Sequence, residues 1–207
     1  MKFYLSSFLL GNRSDDLVRL MPDNKKIAYI PNAGDYTNTD SEKRKNWEQL
    51  DIEKLEKLGL FVEYLDLKEY FGRENKLREV LNKFGGVFIR GGNTFILRQA
   101  MKLSGFDIIF KELLKKDNFV YAGYSAGICV LAPDFRPLQI VDDPTDKPYK
   151  DCKETIWEGL GFLEYMILPH YQSNHPESAD IDKEIEFAKK NNIAFKTLKD
   201  GEVIIIE

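Results

Sequence analysis

Short apolar runs alternate with longer amphipathic stretches along this chain. Segment 26–31 (KIAYIP) reads as a buried strand, and 61–67 (FVEYLDL) alternates roughly as a strand does. Between them lies a polar loop at 32–40. Then Trp47, Leu50, Ile52, Leu55 and Leu58 recur at mostly helical spacings over 41–58, with Ser41 as the expected N-cap. Leu77, Val80 and Leu81 share one face of a helix expected around 75–84, which Gly85-Gly86 ends. Val87-Phe88-Ile89 is a short strand that runs into Arg90-Gly91-Gly92-Asn93-Thr94, a helix over 95–103 and another over 107–116. Phe119-Val120-Tyr121-Ala122 is the next strand. After the turn Gly123 to Gly127, a helix carries Ile128, Val130 and Leu131. A proline- and aspartate-rich connection follows over 133–156. Met166-Ile167-Leu168 is a strand leading to Pro169-His170. The stretch 179–191 is a helix with acids first and bases last, the order its dipole favours, and 194–198 and 203–206 are the last strands. The N-terminal apolar stretch over 3–10 is interrupted by Ser6-Ser7 and is followed by no small-residue cleavage site. It reads as the first buried strand, not as a signal peptide.

This alternation predicts an α/β fold whose parallel sheet is covered on both faces, within one domain over 1–207. In such sheets functional groups gather beyond the carboxyl ends of the strands. Three sharp turns fall at such ends, after Ile89, Ala122 and Leu168. Composition narrows the function class. Hydrophobic residues make up 43% and charged residues 31%, as in ordinary globular proteins. A net charge of −4 with interspersed signs gives no electrostatic case for nucleic acid. The basic runs Lys43-Arg44-Lys45 and Lys115-Lys116 have acids close by and read as solvated surface. No run is long enough for a transmembrane helix, so no membrane partner is expected. Cys129 and Cys152 are too few for a disulfide framework and read as reduced thiols of a cytoplasmic protein. The amphipathic helices account for their apolar faces without a partner, and the sequence assigns no oligomeric state.

Gly123-Tyr124-Ser125-Ala126-Gly127 is the sharpest chemical signal. A serine between strand and helix presents its hydroxyl to a cleft on a tight turn, and small residues two before and two after it prevent clashes. A glycine-rich turn with a capping serine fits the local pattern equally well. A nucleophilic serine needs a base, and the chain offers only His170 and His175. His170 follows a strand and a proline, at the same kind of edge as Ser125. His175 reads as a surface or packing residue. Asp200, in Lys199-Asp200-Gly201, reads locally as a hairpin turn, although the order Ser, His, Asp would let it orient the base. In the Gly91-Gly92-Asn93-Thr94 turn the glycines admit close backbone approach. The N–H of Gly92 or Gly91 can pair with that of Ala126 to hold an oxyanion, and Asn93 or Thr94 can cap the next helix. The turn suits an anion too, but lacks the P-loop ending and dinucleotide-binding spacing.

At these residues the sequence resembles the peptidase E family of serine peptidases, which includes the cyanophycinases. The resemblance rests on Arg90 to Thr94, Gly123 to Gly127, Leu168-Pro169-His170-Tyr171 and Asp200-Gly201, in an order that spans most of the chain. Val141-Asp142-Asp143-Pro144 is similar to a connection in peptidase E-like proteins of Gram-positive bacteria. The resemblance implies a three-layer sandwich with a mostly parallel central sheet, like the class I glutamine amidotransferases. It implies a nucleophile at Ser125, a base at His170 and an acid at Asp200, with Asp142 or Asp143 as the alternative acid. It also implies oxyanion donors at Gly91, Gly92 and Ala126, a substrate held near Asn93, Thr94 and Tyr124, and a small peptide as that substrate. No metal or organic cofactor is expected. Stretch 174–183 has no arginine and carries Glu177, Asp180 and Asp182, so strict specificity for N-terminal aspartate is not expected. These acids either disfavour acidic substrates or receive a free amino terminus. An esterase with the same residues, or a silent binding member of the fold, is the alternative.

Overall fold

In the computed structural model, residues 1–38 and 40–207 are described, so position 39 of the expected polar loop lies outside the described residues. The strands are β1 (Lys2–Ser6), β2 (Lys26–Ile30), β3 (Phe61–Tyr64), β4 (Gly86–Ile89), β5 (Val120–Tyr124), β6 (Met166–Leu168), β7 (Phe195–Thr197) and β8 (Val203–Ile206). Six of them form one sheet in the order β3-β2-β4-β5-β1-β8, parallel throughout except for β8, which runs antiparallel to β1. The helices are α1 (Ser14–Leu20), α2 (Ser41–Lys57), α3 (Glu74–Leu81), α4 (Thr94–Ser104), α5 (Phe106–Leu113), α6 (Ala126–Cys129) and α7 (Ile181–Lys190).

Side-chain alternation along the strands divides the core in two. Phe3, Leu5, Ala28, Ile30, Val87, Ile89 and Tyr121 face one way, packing against apolar residues of α3, α4, α5 and α6. Tyr4, Ile27, Tyr29, Phe88, Val120, Ala122 and Tyr124 face the other way, toward Leu17 and Leu20 of α1 and Leu55 of α2. Both faces of the central strands are therefore buried, which explains why β4 and β5 read as continuous apolar runs. The result is the expected three-layer α/β sandwich.

Four local expectations are corrected. Asp40 caps α2 by accepting from the N–H groups of Glu42 and Lys43, so Ser41 is the first helical residue instead of the cap. The helix after Ser125 ends at Cys129. The carbonyls of Val130 and Leu131 accept from the N–H groups of Leu160 and Phe162, and Pro133 cannot continue a helix. Helix α1 was not anticipated, because its seven residues bury only Leu17 and Leu20 and give too short a periodic signal. Finally, β6 lies outside the central sheet and pairs in parallel with β7, Met166 opposite Phe195.

The glycines of the Ser125 turn are required by packing. A Cβ on Gly123 would sit 2.7 Å from the Ile89 carbonyl oxygen, and one on Gly127 would run into that same oxygen. Overpacking of this kind costs about 1–3 kcal/mol. Gly127→Val is expected at the upper end, about 3 kcal/mol, because the obstacle is the backbone of a central strand. A urea-unfolding midpoint unchanged from wild type would contradict this packing.

Candidate active site

Beyond β5 the chain turns at Ser125 with φ 49° and ψ −118°, where α6 begins. A non-glycine residue with positive φ stores about 1–3 kcal/mol of strain and persists only where its surroundings over-determine it. Here β5 is pinned between β1 and β4, and Ser125 N–H donates to the Ser7 carbonyl at 3.2 Å. Within 119–132 every residue except Ser125 is buried. Ala126 opens the helix, so its N–H has no intrahelical acceptor. Across the cleft the β4 turn comes close: a Cβ on Gly91 would lie 3.0 Å from Ser125 Cβ and 2.7 Å from the Tyr124 ring. Gly92 has φ 143°, and a side chain there would run into the Ala33 carbonyl. Only glycine lets this backbone pass so close to the serine.

His170 reaches the same cleft from β6, also on strained backbone at φ 61°. The small β6–β7 sheet delivers its partner. Leu198 N–H donates to the Leu168 carbonyl at 2.9 Å and Tyr171 N–H to the Leu198 carbonyl at 3.0 Å, so the turn after β7 lies against the turn after β6. As a result His170 Nδ1 is 2.7 Å from Asp200 Oδ1. The Ser173 hydroxyl accepts from Asp200 N–H at 2.7 Å. Ser7 adds a second tie from the end of β1: its hydroxyl donates to Asp200 Oδ1 and accepts from His170 N–H, both at 2.9 Å. A carboxylate on Nδ1 holds the imidazole proton there and leaves Nε2 as the acceptor. Among the described residues no hydrogen bond joins the Ser125 hydroxyl to the imidazole, although both line the cleft. Among the described residues neither Asp142 nor Asp143 forms a hydrogen bond or ion pair with His170. The first accepts from Thr94 N–H at 2.8 Å and the second from Thr145.

Burial lowers the His170 pKa below its ordinary value, and neighbouring His175 lowers it further, while Asp200 opposes both. His175 stacks on His170 with ring centres 3.7 Å apart and planes 11° from parallel. Its pKa is also lowered by burial. His170 Nε2 lies 3.9 Å from Glu177 Oε2. The ligand atoms of His170, His175 and Glu177 fall within 4.8 Å of one another. With the rings face to face, however, their lone pairs lie in nearly parallel planes, and His175 Nδ1 already accepts from Glu177 N–H at 3.3 Å, an arrangement suited to stacking more than to a shared ion.

The cleft has a volume of about 460 Å³ and a largely apolar lining that includes Phe8, Tyr36, Trp47 and Tyr124. Tyr124 borders it with its ring, while its hydroxyl donates to Asp51 at 2.9 Å beside that of Tyr29 at 2.8 Å. Asn93 does not line the cleft. It is buried, capping α4 through Ile96 N–H and donating to the Asp143 carbonyl. Thr94 lines a smaller cavity that adjoins Ser125. Ser7 is not legible from the sequence as part of this site, because its position depends on β1 lying beside β5, with Ser6 opposite Tyr124. The place of Glu184 beside Glu177 near Ser125 is hidden too, since Glu184 reads as an ordinary helix-surface acid, whereas Glu177 belongs to the acid-rich stretch that the sequence singles out.

The model of peptidase family S51 matches residues 11–207. An uncharacterized peptidase of Listeria innocua is 31% identical over 157 residues, covering 72% of this chain and 71% of the relative. One of Listeria monocytogenes is 34% identical over 143 residues, covering 67% and 64%. Among solved structures, one from Listeria monocytogenes EGD-e, provisionally described as a peptidase E protein, superposes with a TM-score of 0.77. Its identity is 24%, over 99% of this chain and 93% of that one. A peptidase from an acI-B1 actinobacterium gives 0.67 at 15% identity, covering 100% and 83%.

Proposed function

The chain belongs to peptidase family S51, and on that premise we propose that it is a serine peptidase acting on small peptides through Ser125, His170 and Asp200. One observation carries the reading: a strained, cleft-facing Ser125 shares its cleft with an imidazole whose Nδ1 is held at 2.7 Å by a carboxylate. His170 Nε2 takes the Ser125 proton as the serine oxygen attacks the peptide carbonyl. The N–H groups of Ala126 and of Gly91 or Gly92 receive the oxyanion, where loss of one donor costs about 3 kcal/mol of transition-state stabilisation. His170 then protonates the leaving amine, and water, deprotonated by the same base, hydrolyses the acyl-enzyme. The serine–imidazole hydrogen bond forms when substrate fills the cleft. Asp200 supports the imidazole from behind, and Ser7 keeps both aligned.

A dipeptide library screened with wild type and Ser125→Ala tests the reading, alongside a panel of simple esters and fluorophosphonate labelling. Dipeptide turnover and labelling that both vanish in Ser125→Ala are expected. Turnover of esters alone would reassign the protein as an esterase, and labelling of neither form would leave a silent member of the fold.

A further inference from the structure

Beside Ser125 lies a second, smaller cavity. It is lined by Thr94, Ala126, Cys129, Asp142 and Pro169 among others, and shares Ser125 and Glu177 with the main cleft as common walls. Its accessible volume is about 10 Å³, room for one water-sized group. The third acid in its wall, Glu184 of α7, is fully buried at 0% exposure, and neither carboxyl oxygen has a hydrogen-bond partner among the described residues. A buried carboxyl without partners is expensive, and native interiors pair such groups. The groups acting on it deepen the imbalance. Burial and the neighbouring acids Asp142, Glu177 and Asp180 push Glu184 up to about 9. Burial, Asp142 and Asp200 push Glu177 up to about 7, and burial raises Asp142 to about 6 despite the Thr94 N–H. Among the described residues no lysine or arginine forms an ion pair with any of the three.

We propose that this cavity is a specificity subsite that receives a primary ammonium group of the substrate's acyl residue, with Glu184 as its principal acceptor, releasing its carboxyl proton to solvent as the cation enters, and Glu177 and Asp142 completing the acidic wall. The assignment rests on the reading of Ser125 as the nucleophile, because the cavity adjoins that residue. An ammonium matches the cavity in size, and its N–H groups would satisfy the oxygens of Glu184 that the protein leaves unpartnered. An acidic side chain in this place would meet three carboxyls, consistent with the absence of an arginine over 174–183. Two sources supply such a group: the free α-amino terminus or a short side-chain amine.

The first test reads binding without catalysis. Methylammonium chloride should raise the melting temperature of the wild-type protein by about 3 °C over tetramethylammonium chloride at equal concentration, since the larger cation cannot enter. The shift should vanish in the isosteric Glu184→Gln and in Glu184→Met, which keeps the side-chain reach without the charge. Absence of the shift, or its persistence in both variants, would overturn the site. The second test compares alanyl, N-acetyl-alanyl and N-acetyl-diaminopropionyl anilides. The source bearing the recognised ammonium should be favoured by on the order of thirtyfold in kcat/KM, and Glu184→Gln should collapse the ratio. Equal turnover of charged and uncharged substrates would overturn the subsite while leaving the peptidase reading intact. A methylammonium shift without fluorophosphonate labelling would do the reverse, leaving a cation site in a protein that is not a serine hydrolase.

Discussion

Ser125→Ala is expected to lower kcat for the best dipeptide by about 10⁶-fold, to whatever oxyanion stabilisation and binding supply alone. The magnitude follows from the role: without the hydroxyl no acyl-enzyme forms, and His170 has no proton to remove. The substitution should leave the fold intact. Ser125 makes no side-chain capping bond to α6, and its backbone N–H bond to the Ser7 carbonyl does not involve the hydroxyl. Alanine meets the same strain at φ 49° that serine does. Steady-state kinetics, fluorophosphonate labelling and a urea melt on one preparation separate the possibilities. Labelling should disappear while the unfolding midpoint stays within about 0.5 kcal/mol of wild type. Residual activity within tenfold of wild type in a folded protein would remove Ser125 from the mechanism.

Different physics made the parts of this site more or less legible in the sequence. Ser125 was visible because its environment is local: an apolar strand before it, small residues on both sides and a helix start after it. The packing of Gly123 and Gly127 against the Ile89 carbonyl supplies the reason for that pattern. His170 was visible through scarcity, since two histidines leave little choice. Asp200 was not legible locally. An Asp-Gly pair reads as a turn, and it is one, with Gly201 at φ 95°. Its contact with His170 arises because β7 lies beside β6, and no periodicity announces that pairing. The same limit explains why β6 was grouped with the central sheet. A three-residue apolar strand carries no record of its neighbours, and β8 fills the place beside β1. Ser7 and Glu184 were the least visible. One looked like a polar break in an apolar run. The other looked like an outward acid on an amphipathic helix, and only tertiary packing turns it fully inward.

Asp200→Asn is the second large effect, expected to reduce kcat by about 10⁴-fold with little change in the fold. The carboxylate accepts from His170 Nδ1 at 2.7 Å and from the Ser7 hydroxyl at 2.9 Å. An asparagine can present its amide N–H₂ to the imidazole instead, which moves the imidazole proton to Nε2, the atom that must accept from Ser125. The variant keeps shape and volume but loses the base. Its pH profile carries a separate signature. Asp200 raises the His170 pKa against the lowering by burial and by stacked His175. Removing its charge therefore lets that pKa fall further, and the acid limb of kcat/KM should move to lower pH, since the neutral base persists to lower pH. Glu177, 3.9 Å from Nε2, loses the upward push of Asp200 in the same variant, so its own titration moves to lower pH as well. Asp142→Asn should leave that limb in place and change kcat far less, because Asp142 binds Thr94 N–H and, among the described residues, forms no hydrogen bond or ion pair with His170. If Asp142→Asn proves the more damaging of the two, or if the limb in Asp200→Asn moves to higher pH, then the acid that orients the base is Asp142 and the pairing at His170 Nδ1 serves packing alone.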